Sequence, residues 1–160
     1  KHGITNDLSN DITKKYFRAS VREMVMTYPL LAGMGITAGE GMPHDMDSKV
    51  KERWLWDTYG EGVRDALKDE HKREFGMIHR LHWTAQSDIL DAFKDYPGTF
   101  EFSFKYSVAH MYSIPKPPFI QPLLENLAPG RSKQVLTYLR IVNDYVPFLP
   151  PRLRVNQETR

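Results

Sequence analysis

Apolar residues recur along this chain at two alternating rhythms, one of period 3.6 and one of period 2. Ile12, Tyr16, Phe17, Val21, Met24 and Val25 fall at three- and four-residue spacing, so one apolar face of a helix is expected to run to about Tyr28. Ser9 or Asp11 can cap its start, and Pro29 ends it. Leu30–Thr37 then reads as a short apolar strand, closed by a glycine-rich turn with Gly33, Gly35, Gly39 and Gly41. Residues 42–48 form a polar loop. A second helical pattern follows from about Lys49 to Lys68, with Val50, Trp54, Val63 and Leu67 as expected core contacts. Gly60 and Gly62 weaken its middle, so two pieces joined near Tyr59-Gly60 are expected.

The next strand is expected at Phe75–Trp83, followed by a short helix capped by Thr84 and carrying Ile89, Leu90 and Phe93. Phe100–Tyr106 alternates in β fashion as a third strand. Residues 107–134 hold five prolines and no long helical period, and Val135–Val142 reads as a fourth strand before Asn143-Asp144-Tyr145. Helices alternating with strands imply parallel strands joined by crossovers. Four such strands are half of an eight-stranded barrel or most of a small open sheet. The expected fold class is α/β, a parallel (β/α) barrel segment amounting to about half of a TIM barrel. The chain as a whole, residues 1–160, reads as part of one such domain within a longer parent chain.

Composition changes this picture little. The 160 residues include 41% hydrophobic and 26% charged side chains, ordinary for a globular domain with a core of its own. The net charge of +2 and the scattered basic residues point away from nucleic acid. No apolar run approaches the ~20 residues of a membrane span. The absence of cysteine excludes disulfides, thiolate metal sites and a cysteine nucleophile.

The chemistry-bearing residues cluster at the expected strand ends. Glu40 follows the first strand, and Arg80 and His82 end the second. Lys105 and His110 lie at and beyond the third, and Asp144 follows the fourth. In a parallel barrel these ends converge on one face, where catalytic groups sit. Two carboxylates flanking a bond are what glycoside hydrolysis needs, and Arg and Lys beside them can hold an anionic group. Each residue also has a structural alternative. Glu40 can lie on a surface loop, Arg80 can pair with a barrel carboxylate, Lys105 can sit at a sheet edge and Asp144 can cap a helix. His79 is expected to face away from the site. A zinc site built on His79, His82 and His110 with Glu40 or Asp144 is disfavoured, since the first two rings fall on opposite faces of one strand. No nucleophile elbow, P-loop or dinucleotide fingerprint is present. The 19 aromatic side chains suit sugar stacking and ordinary core packing alike.

From about Asn10 to Tyr145 the order of motifs resembles the catalytic domain of family 67 glycoside hydrolases, the α-glucuronidases acting on xylan fragments. The likeness is carried by Tyr28-Pro29, Gly39-Glu40-Gly41-Met42-Pro43, Tyr59-Gly60 with Asp65-Ala66-Leu67, His79-Arg80, Phe93, Phe104-Lys105-Tyr106 and Ile141–Tyr145. The resemblance implies that Glu40 is the general acid of an inverting mechanism and that Arg80 and Lys105 bind a uronic carboxylate. It puts Asp144, a shortened counterpart of a Glu, in the place of a base. Two positions depart from the family pattern. Ile36 stands where the family has a Lys, and His110 stands where it has its first base carboxylate. An imidazole of ordinary pKa ~6.5 can act as base or orient a water, and its presence can equally mean that turnover is lost. The expected activity is hydrolysis of a uronic-acid-containing or related acidic oligosaccharide, with no metal or organic cofactor. His82 is a further expected substrate contact. The alternatives are a non-catalytic carbohydrate-binding barrel and an unrelated structural α/β domain. The expected partners are the oligosaccharide and the rest of the parent chain, with no nucleic acid and no membrane, and the resemblance implies a bacterial periplasmic or extracellular setting.

Overall fold

The computed structural model describes residues 2–39, 41–69, 73–104, 125 and 134–137. Helix α1 spans Asp11–Thr27, and its N-cap is Asn10. The Asn10 side-chain oxygen accepts from the amides of Ile12 and Thr13 at 2.8 and 3.0 Å, satisfying two of the helix's orphan donors. The expected caps Ser9 and Asp11 do not fill that role. Asp7 instead holds Ser9, accepting from its amide and its hydroxyl. The buried face of α1 runs through Thr13, Val21 and Val25, while Ile12 and Tyr16, expected in the core, are exposed.

Strand β1 covers Gly33–Thr37. It is shorter than its apolar run because Leu30 points into solvent, 97% exposed. Asp47 caps α2 (Ser48–Leu55) by accepting from the amides of Lys49 and Val50. Val50, an expected core contact, is exposed, whereas Trp54 and Leu55 are buried. The anticipated break near Tyr59-Gly60 is a π-helical turn, Trp56–Gly60, that leads directly into α3 (Glu61–Asp69). Thr58 donates its hydroxyl to the Trp54 carbonyl at 2.7 Å, which helps satisfy a carbonyl where the α ladder changes pitch. α1 and α3 pack closely because residue 62 has no side chain. A Cβ on Gly62 would stand 2.7 Å from the Arg18 carbonyl and 2.8 Å from Val21 Cβ.

Strands β2 (Gly76–Leu81) and β3 (Phe100–Phe104) flank α4 (Gln86–Ala92). Thr84 does not cap α4: the cap position is Ala85, with no side-chain bond. Within the fourth expected strand and its approach, Gln134–Thr137 forms β4. The sheet order is β1-β2-β3-β4, every pair parallel. The fold is therefore α/β with a small parallel sheet, as the alternating rhythm predicted.

Register sorts the strand residues onto two faces. Ile36, His79 and Phe102 stand level with one another, as do Met77 and Phe100, and all five are buried against the helices. Phe75, Ile89, Phe93 and Trp56 complete that core. Thr37, Arg80 and Ser103 form the next row toward the carboxyl ends, on the opposite face.

Candidate functional site

Of the six site residues expected from sequence, the structure places two, Arg80 and His82. Glu40, Lys105, His110 and Asp144 lie outside the described residues. Arg80 is the penultimate residue of β2 and emerges on the face away from the helices, between Thr37 of β1 and Ser103 of β3. With strands ~4.8 Å apart, that row spans roughly 10 Å and centres on the guanidinium-bearing strand. Arg80 is partly buried, and its Nε has no hydrogen-bond partner among the described residues. A buried guanidinium donor left open is costly, and an anionic or carbonyl oxygen would satisfy it. The structural alternative for Arg80, an ion pair with a barrel carboxylate, has no partner among the described residues. Glu101, which the sequence reading passed over, lies on the same sheet face as Arg80 because it stands level with Ile78.

His82 sits just past the strand and stacks on Trp83, with ring centroids 4.8 Å apart and planes 19° from parallel. His44, from the loop after β1, reaches the same indole at 4.0 Å. The loops that follow β1 and β2 therefore meet ring to ring at the carboxyl end of the sheet. His79 faces the opposite way, as expected from alternation. It is fully buried, lies edge-on to Phe93 and meets Glu52 at 2.8 Å. His79 and His82 thus share no ligand, and no group of three metal-ligating side chains occurs among the described residues.

Beside β1, at its carboxyl end, a cleft of about 600 Å³ opens between the strand, α1 and the π turn. Gly39 and Gly41, the neighbours of Glu40, line it together with Thr37, Phe17, Trp54 and Tyr59. None of the described lining residues is charged. Burial pushes the Tyr59 phenol above its usual pKa, so it stays a neutral donor. Trp54 is nine-tenths buried, and its indole N–H has no partner among the described residues. Aromatic faces with hydroxyl and indole donors suit an uncharged polyhydroxylated ligand. Among the described residues the two parts of the carboxyl end therefore differ in chemistry, a cationic point at Arg80 and a cleft at β1 lined by uncharged groups.

Sequence reasoning missed Glu52, Lys51 and Trp83, and reached His44 only as one of the polar groups of the 42–48 loop that could face a ligand. The first two sit in a charged stretch, Lys49–Arg53, that reads as a solvated helix face. The signal available was the spacing of Ser48, Lys51 and Glu52, one face of a helix.

No family model matches the chain. No curated protein matches it either. Among solved structures the chain is similar to a GH138 enzyme targeting pectin rhamnogalacturonan II, with a TM-score of 0.52 at 24% identity. The match covers 60% of this chain and 11% of that one, so the chain spans a small part of the enzyme it resembles. At this identity the likeness is one of fold. The solved neighbour belongs to family 138 of the glycoside hydrolases, whereas the motifs resembled family 67.

Proposed function

We propose that the chain is the part of a (β/α)-barrel glycoside hydrolase that holds an acidic sugar, and that its substrate is a uronic-acid-containing or related acidic oligosaccharide. The observation that carries this reading is Arg80, a partly buried cation at the carboxyl end of β2 whose Nε is unpaired among the described residues. It stands near the carboxyl end of its strand, the end where a barrel gathers its chemistry. Fold likeness to part of a GH138 enzyme supports a glycosidase scaffold. Arg80 binds the sugar carboxylate as a fork, with Lys105 as the second cation and His82 at the rim. Glu40 protonates the leaving oxygen, and Asp144 with His110 activates water on the opposite face of the ring, giving inversion. The uncharged cleft beside Gly39 and Gly41 receives the neutral sugar units.

The test is turnover of acidic xylan fragments and pectic fragments, with product anomers read by NMR. Wild type is expected to release product with inversion. Glu40→Gln is expected to lower kcat by on the order of 10³-fold while oligosaccharide binding persists. Arg80→Ala is expected to raise KM for acidic fragments by about 10–100-fold, the weight of a lost bidentate pair. Retained turnover in Glu40→Gln would exclude it as the acid. Binding without turnover in wild type would favour a carbohydrate-binding barrel, and no binding at all would leave a structural α/β domain.

A further inference from the structure

Ser48, Lys51 and Glu52 share one face of α2, and that face is turned inward. Lys51 is 2% exposed and Glu52 is fully buried. Ionisable side chains are almost never buried this deeply without partners, because taking a charge out of water is costly. Here every partner lies on one of two loops or on the strand between them. Ser48 Oγ accepts from the Ala85 amide at 2.9 Å, in the loop after β2. Lys51 Nζ donates to the His44 carbonyl at 3.4 Å, in the loop after β1. One Glu52 oxygen accepts from the Thr84 hydroxyl, again after β2, and the other meets His79 Nε2 at 2.8 Å.

The geometry also fixes where one proton sits. His79 Nδ1 lies 3.1 Å from the Arg80 carbonyl, and a carbonyl can only accept, so Nδ1 carries a hydrogen. Nε2 and the Glu52 oxygen can then bond only by sharing one more proton, held by either partner. Glu52 therefore reaches Arg80 from behind the sheet, through the imidazole to the main chain of the residue that bears the guanidinium. Through Thr84 it also reaches the loop that carries His82 and Trp83.

We infer that the buried polar stripe of α2 clamps the two loops at the carboxyl end of the sheet, and that Glu52 is a positioning residue for the Arg80–His82–Trp83 site. The inference rests on the reading of that site as a binder of acidic sugars. Glu52 touches no ligand. It sets the geometry of groups that do, where displacement of about 1 Å is enough to lose much of their effect.

The experiment measures two quantities on the full chain, hydrogen exchange at residues 82–85 and affinity for D-glucuronate. Thr84→Val removes one clamp bond at nearly constant volume. It is expected to speed exchange at 82–85 and weaken glucuronate binding roughly 10-fold. Glu52→Gln is expected to preserve both readouts within about 3-fold, since its amide can donate to Nε2 and its carbonyl can accept from Thr84. Glu52→Leu is expected to lose both. Val25→Ala, a core truncation away from the loops, is expected to lower stability and leave affinity unchanged. Faster exchange in Thr84→Val with unchanged affinity would overturn the inference while leaving the acidic-sugar reading intact. Loss of affinity in Val25→Ala to the same degree would also overturn it, by reducing the clamp to general stability. Wild type that ignores glucuronate would remove the acidic-sugar reading, and the positioning role with it.

Discussion

The two ends of the parallel sheet are held by different kinds of bond. At the amino end, side chains are spent on main-chain carbonyls. Arg73 donates to the carbonyls of Val25, Tyr28 and Leu31 at 2.6, 2.7 and 2.8 Å, tying the exit of α1 and the approach to β1 to the start of β2. Tyr96 donates its phenol to the Phe75 carbonyl at 2.8 Å, and Gly98 lets the chain pass against the same carbonyl. At the carboxyl end, bonds to main chain at His44, Arg80 and Ala85 are joined by contacts between side chains: Glu52 with His79 and Thr84, and His44 and His82 with Trp83. Main-chain acceptors move only when the fold moves, so the amino end behaves as a fixed base. Side-chain pairs leave polar groups whose placement can be tuned, and Arg80 Nε, unpaired among the described residues, lies at that end.

Damage at the amino end is therefore expected to lower stability without changing affinity per folded molecule. Arg73→Ala is expected to show the largest effect, about 3 kcal/mol, because three carbonyls lose a charged donor together. Urea unfolding reads the loss, and glucuronate affinity of the folded fraction should match wild type. Tyr96→Phe is expected to cost about 1 kcal/mol, the value of one buried bond, again with affinity unchanged. Its phenol is held neutral by burial, well above the usual tyrosine range, so no part of that cost should vary between pH 5 and 9. A fall in affinity for either variant would merge the two ends into one cooperative unit.

The smallest effect belongs to a third place, the α1–α3 seam. Arg18 donates to Asp65 at 2.6 Å and holds its carboxyl below the ordinary value of 3.8. A depressed carboxylate stabilises the fold above its unfolded pKa, and that contribution is lost as pH falls through the folded value. Arg18 is more than a third exposed, so solvent discounts the pair to about 0.5 kcal/mol. Asp65→Asn is therefore expected to cost that amount at pH 7, and the difference from wild type should shrink below pH 4. An undiminished difference at pH 3 would assign the cost to packing.

The order of strands and helices was legible because burial on one face imposes its own period on the sequence. What failed was the choice between neighbours sharing that period. Asn10, Ser9 and Asp11 are all good caps, and which one meets the first amides depends on the leader, where Thr5 and Thr13 bond reciprocally. Ile12, Tyr16 and Val50 carry the right spacing but face outward because their helices are rotated to bury Thr13, Lys51 and Glu52. Arg80 and His82 were placed at the carboxyl end of β2 because strand ends can be read from alternation. Glu52 was not found because charge in a charged helix looks solvated until the partner, His79 on a distant strand, is in place. The family likeness fared unevenly for a related reason. Glycines and strand-end polar groups mark a parallel α/β scaffold, and they say little about which family carries it.

The π-helical turn at Trp56–Gly60 has a consequence for the crossover as a whole. An uninterrupted α-helix advances about 100° per residue, which would bring Glu52, Val63 and Ala66 close to a single azimuth. The wider turn absorbs roughly one extra residue and so puts the second half out of phase with the first by about that angle. The first half can then send carboxylate and ammonium beneath the loops while the second lays Gly62 against α1. One crossover serves two neighbours in two directions. Deleting a single residue from the turn would bring the halves back into phase, and the chain could then satisfy α1 or the loops, but not both.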